Sequence, residues 1–188
     1  MTAPTPTQSG ASQVPDVARA GRAIGAMFFA GFGAVWLALW AYTEFRPPWL
    51  ALTAIAVVTA LLLVQAYRTY QFHKRAFEQV AETPESKRQN ARFNYINAGQ
   101  WIAIFVVANI LSRTGHGQYI LPAIIAIVGL HFLPLASLFA YAPHYLTGAA
   151  LLVWTLAYTL FAGPASSLGP LGAGIVLWCS AAWAVSRG

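Results

Sequence analysis

One histidine stands in the middle of an uncharged apolar run. His131 lies in Gly129-Leu130-His131-Phe132-Leu133-Pro134-Leu135, within a stretch from Tyr119 to Ala142 that holds no Lys, Arg, Asp or Glu. A titratable ring held away from water is costly, and it is kept where it has a partner or a task. Pro134 lies close behind it. Because proline has no N–H, the carbonyl of Leu130 loses its helical donor beside the imidazole, and a helix kink is expected at Pro134. Ile124, Ile127, Val128, Leu135 and Leu138 share the helical face of His131, so any polar partner must come from another helix.

The amides that could supply that partner are concentrated in one preceding segment. Asn90, Asn94, Asn97 and Trp101 follow i, i+4, i+7, i+11 and fall on one helical face, with Gln100 at its border and Asn109 elsewhere. Counting about 1.5 Å per residue puts His131 roughly 18 Å from Tyr119, near mid-bilayer. The same count back from Ser112 reaches Gln100, with Asn97 one turn deeper. The candidate ligand-binding set is therefore His131, Asn97, Gln100, Asn94 and Trp101. Phe132 and Trp154 would be further walls, a mostly apolar pocket with a few polar groups suited to a small neutral or aromatic solute. The plainer alternative is that the amides join helices, at about 0.6 to 2 kcal/mol per hydrogen bond.

Other chemistries lack their residues. There is no H-E-x-x-H pair, no glycine-rich phosphate loop and no carboxylate in the middle of an apolar run. The single cysteine, Cys179, excludes an intramolecular disulfide and a multi-cysteine metal site. A bis-histidine haem would need two imidazoles at one depth, whereas His144 is read as lying much nearer the membrane surface than His131. No cofactor, metal or catalytic residue is assigned, and the reading leans away from an enzyme.

The elements that must hold these residues follow from composition. Of 188 residues, 58% are hydrophobic and 9% charged, against about 25% charged in soluble domains. Apolar runs over residues 23–42, 49–67, 93–112, 119–142, 145–163 and 171–186 are long enough to cross a bilayer. The expected fold is all-α, a polytopic bundle of six transmembrane helices forming one domain over residues 19–188. Residues 1–18, rich in Ala, Pro, Thr, Ser and Gln, read as a disordered tail. Ala26, Ala30, Ala34 and Ala38 recur every fourth residue with Gly33 beside them, a smooth stripe for close helix approach. Pro47-Pro48 separates spans one and two. Phe72, Ala76 and Val80 suggest that span two continues as an amphipathic stalk. Thr83-Pro84 then reads as an N-cap with proline in the first turn of a new helix, which makes a helical hairpin between spans two and three.

Six spans put both termini on one side. Arg19, Arg22, Arg68, Lys74, Arg75, Lys87, Arg88, Arg92 and Arg187 fall there, and only Arg46 and Arg113 on the other. By the positive-inside rule both termini and the hairpin are cytoplasmic. The net charge of +6 is thereby a topology signal, and no nucleic-acid partner is expected. The short loops and small size suggest a bacterial inner membrane. Two functional readings compete: a component that binds or transports a small solute, and a non-catalytic accessory or scaffold subunit that meets a partner membrane protein or a second copy through small-residue faces.

Overall fold

A computed structural model of the chain describes residues 9–81 and 83–187. Six α-helices account for almost all of them: α1 (Ser9–Glu44), α2 (Trp49–Ala81), α3 (Pro84–Arg113), α4 (Ile120–Leu138), α5 (Pro143–Phe161) and α6 (Leu168–Ser186). A single 3-10 turn at Gly117–Tyr119 leads into α4. All six helices are long and apolar enough to cross a membrane, and the fold is the expected all-α bundle.

Helix α1 packs between α2 and α6. Its inward face is Ala20, Ala23, Ala26, Ala30, Gly33, Leu37 and Ala41, all buried, a helical repeat built almost wholly from small residues. Lipid tails are as apolar as leucine, so nothing like the hydrophobic effect in water draws membrane helices together; close backbone approach and dispersion do. Gly33 meets Gly174 of α6 in this way. A Cβ on Gly174 would stand 2.9 Å from the Gly33 carbonyl oxygen, and one on Gly33 would stand 3.1 Å from that of Gly174. Beside this crossing the Trp178 indole N–H donates to the Ala30 carbonyl at 3.2 Å.

Helices pack in the order α2, α1, α6, α5, α4, α3, and the two ends of this series, α2 and α3, make almost no contact with each other. The α4–α5 pair repeats the small-residue device. A Cβ on Gly148 would lie 2.7 Å from the Gly129 carbonyl oxygen. Large side chains fill the space across which α1 and α4 face each other, with the Phe29 and Phe132 ring centroids 5.3 Å apart.

Chain alternation gathers both described terminal segments, the α2–α3 connection and the α4–α5 turn at one end, called here the hairpin end. Asp16 on α1 pairs with His73 on α2 at 3.1 Å. Arg22 donates to the Arg187 carbonyl at 2.9 Å, and Gln89 on α3 donates to the Leu138 carbonyl at the close of α4 at 2.8 Å. At the opposite end the Ser167 hydroxyl donates to Glu44.

Several boundaries differ from the sequence reading. Residues 1–8 of the expected tail lie outside the described residues, while Ser9 onward is helical, because the extension of α1 docks along α2 through Asp16 and the buried Ala20. The stalk of α2 exists, but Phe72 on it is 85% exposed; the face turned inward instead runs through Ala66, Tyr70, His73 and Phe77. Helix α4 stops at Leu138, short of 142, as Ala140 turns with φ 48°. Helix α6 starts at Leu168, ahead of the expected 171. The start of α3 is as read: Thr83 accepts from the Ser86 N–H at 3.2 Å, and Pro84 occupies the first turn.

Candidate functional site

His131 is carried by α4 at the point where two constraints meet. Gly129 and Phe132 are committed to α5 and the core, since both are buried and Gly129 lies against Gly148, Leu151 and Leu152. The next position around the helix, His131, therefore turns toward α3. Its ring is half-buried and lies beside the backbone of Ile96. Nδ1 of the same ring is buried with no hydrogen-bond partner among the described residues. Helix α4 runs through Pro134, which is exposed on the outer side.

The amide face of α3 is placed differently from the reading of its spacing. Asn94 and Trp101 are exposed, Trp101 at 58%. Asn97 and Gln100 are half-buried, flanking the edge that Phe93 and Ile96 present to the core. The structure thus brings Ile96 to His131 through its backbone, leaves Asn97 and Gln100 beside that contact, and turns Asn94 and Trp101 away. The physical reason is that Phe93 and Ile96 pack against the core cluster and set the rotation of the helix; the Phe93 and Phe139 centroids are 5.8 Å apart. Among the described residues of α3 none is fully buried. Of the expected walls, Phe132 adjoins His131 with centroids 5.9 Å apart. Trp154 instead seals the far end of α5 and α6, where its indole N–H donates to the Leu168 carbonyl at 3.1 Å and its ring fills the space over Gly172.

A second imidazole joins this site. His144, in the first turn of α5, is ringed by Tyr141, Phe29, Phe132 and Phe139, with centroid separations of 5.0, 5.7, 5.8 and 6.3 Å. Its Nδ1 is also buried without a partner. A helix reaching residue 142 would hold His144 far from His131. With α4 ending at Leu138, His131 lies only about 10 Å of helix rise from that end, and the Ala140 turn folds His144 back against Phe132. The clue in the sequence was Tyr141-Ala142-Pro143-His144, a turn followed by proline at the first helical position.

Beyond His144 toward the hairpin end are Tyr141 and Arg22. Burial raises the Tyr141 phenol above its usual range, and the nearby Arg22 guanidinium draws it partly back. Arg22, Tyr141, His144, Phe132 and His131 therefore form a file of polar and aromatic side chains running inward from the hairpin end. No activated nucleophile stands in it, and no cluster of three metal-ligating side chains occurs among the described residues. Two imidazoles among aromatic faces, each with a buried Nδ1 that has no partner among the described residues, can accept or donate hydrogen bonds to a small planar or polar molecule.

Comparison with protein families, with curated proteins and with solved structures finds no match to this chain. The chain is a multi-pass membrane protein on the evidence of its six apolar helices.

Proposed function

We propose that the protein is a small-solute binding or transport component of a bacterial inner membrane, with both termini and the hairpin end cytoplasmic. The solute would be neutral or aromatic and would sit between α4 and α3, contacting His131, with Gln100 and Asn97 at its edge and Phe132 behind it. Asn94 and Trp101 remain part of this proposal only at the mouth of the site, where a solute entering from lipid or from a partner would pass them.

The observation that carries the reading is the free, buried Nδ1 of His131 opposite a helix that has no buried residue. An imidazole nitrogen without a partner in a low-dielectric setting is a standing desolvation cost of about 1 to 3 kcal/mol, which a hydrogen-bonding ligand would remove. The loosely packed α3 is the wall that can give way to admit one. The cytoplasmic orientation rests on the nine basic residues at the hairpin end against Arg46 and Arg113 at the other.

Native mass spectrometry of protein purified in mild detergent tests this. The wild type should carry a small-molecule adduct that His131→Ala loses while its helicity and elution volume stay unchanged. Absence of any adduct, or its retention by a folded His131→Ala variant, overturns the reading.

A scaffold role has one observation in its favour. Tyr95, Trp101, Ile102 and Phe105 of α3 are all exposed, and together with Asn94 they make a surface that a partner helix could cover. Co-purification of a stoichiometric protein partner lost on Trp101→Ala, with no small-molecule adduct, would favour that role over solute binding.

A further inference from the structure

A cleft of about 430 Å³ opens at the hairpin end, where the extensions of α1, α2 and α3 rise beyond the end of α4. Arg88, Arg92, Ser86 and Glu85 of α3 supply its polar side, and Val17, Phe77 and Leu138, from three other helices, supply its apolar floor. Arg88 and Arg92 are one turn apart on the same face. Neither forms an ion pair with a described residue, and Glu85 forms none either. Gln89 also lines the cleft and ties the α3 wall to α4 through the Leu138 carbonyl, so the two arginines stand on a helix with a fixed position.

Two things about this cleft point to a lipid as its occupant. Its level is that of the bilayer surface: Arg92 is the last charge before the apolar run that begins at Phe93, and Leu138 is the last residue of α4. Below it, α2 and α3 make almost no contact with each other, and the segments of the two helices that continue into the bilayer, residues 49–67 and 93–112, are apolar. A soluble anion would be served by the two guanidinium groups alone and would have no use for the apolar floor. We propose that the cleft binds an anionic glycerophospholipid, with the phosphate between Arg88 and Arg92 and the acyl chains descending between α2 and α3. Basic pockets between spans on the cytoplasmic face are known to hold such headgroups, each nearby Lys or Arg adding to the attraction. The shared chemistry with free phosphate is the bidentate guanidinium contact, and the floor separates the two. This site is independent of the one at His131.

The test uses the full chain, delipidated in detergent and re-equilibrated with phosphatidylglycerol or phosphatidylcholine, with retained lipid counted by native mass spectrometry. One phosphatidylglycerol should be retained at least about tenfold better than phosphatidylcholine. Arg88→Gln/Arg92→Gln should abolish that preference, Arg113→Gln at the opposite end should keep it, and millimolar inorganic phosphate should not displace the lipid. Equal retention of the two lipids overturns the proposal. So does a preference that survives in Arg88→Gln/Arg92→Gln protein with wild-type helicity and elution, or displacement by inorganic phosphate.

Discussion

His131 and His144 stand against the same ring, their centroids 5.9 and 5.8 Å from that of Phe132. Phe132 in turn leans on Phe29 of α1, so one side chain joins the two imidazoles to α1. Replacing it with alanine removes a ring that is only 7% exposed and should cost about 3 to 5 kcal/mol. Thermal or denaturant unfolding in detergent measures this. A loss below 1 kcal/mol would mean that the aromatic cluster is not a core.

Gly148→Ala should destabilise the α4–α5 pair by about 1 to 3 kcal/mol. The added methyl would stand 2.7 Å from the Gly129 carbonyl oxygen, and backbone cannot step aside as a flexible side chain can. Gly31→Ala is the matched control, since nothing lies within 4 Å of its Cβ position; its effect should stay within about 0.5 kcal/mol. Equal effects of the two would contradict the crossing.

The six spans were legible because an apolar run of about 20 residues has few alternatives in a chain with so little charge. The alanine stripe of α1 was legible only in part: Ala26, Ala30 and Gly33 lie on the buried face, whereas Ala34 and Ala38 are half-buried, because the face continues through Leu37 and Ala41. What the sequence did not carry was helix rotation. Asn94 and Trp101 share a face with Asn97 by spacing, yet Phe93 and Ile96 decide which way that face points. The same holds for the α2 stalk, where His73 and Phe77 turn inward and Phe72 outward. His144 was missed because its depth depends on where α4 ends, and the left-handed turn at Ala140 has no glycine to announce it.

Gln89→Ala should loosen the junction of α3 with α4. It deletes the 2.8 Å hydrogen bond to the Leu138 carbonyl, at a cost of about 0.6 to 2 kcal/mol. Hydrogen exchange should quicken over residues 136–142 and remain unchanged around Gly33. Unchanged protection at 136–142 would show that this bond does not hold the α4–α5 turn.

The phenol of Tyr141 gives a pH signature. Burial raises its folded-state pKa, with Arg22 opposing, while the unfolded phenol titrates near about 10. The contribution to stability is therefore full below about pH 10 and falls as pH rises past it, because the unfolded chain loses its proton first. Between pH 9 and 11 the wild type should lose more thermal stability than Tyr141→Phe. Parallel losses in the two proteins would contradict a buried phenol.

The central claim is that His131 is held against the Ile96 edge of α3 and away from the Asn94 and Trp101 side. Disulfide mapping in a Cys179→Ser background tests it most directly, pairing His131→Cys in turn with cysteine at Ile96, Gln100, Asn94 and Trp101. Mild oxidation in native membranes should cross-link the pairs with Ile96→Cys and Gln100→Cys and leave those with Asn94→Cys and Trp101→Cys unlinked. Faster cross-linking to Asn94→Cys or Trp101→Cys would contradict the placement of His131 and the solute site built on it.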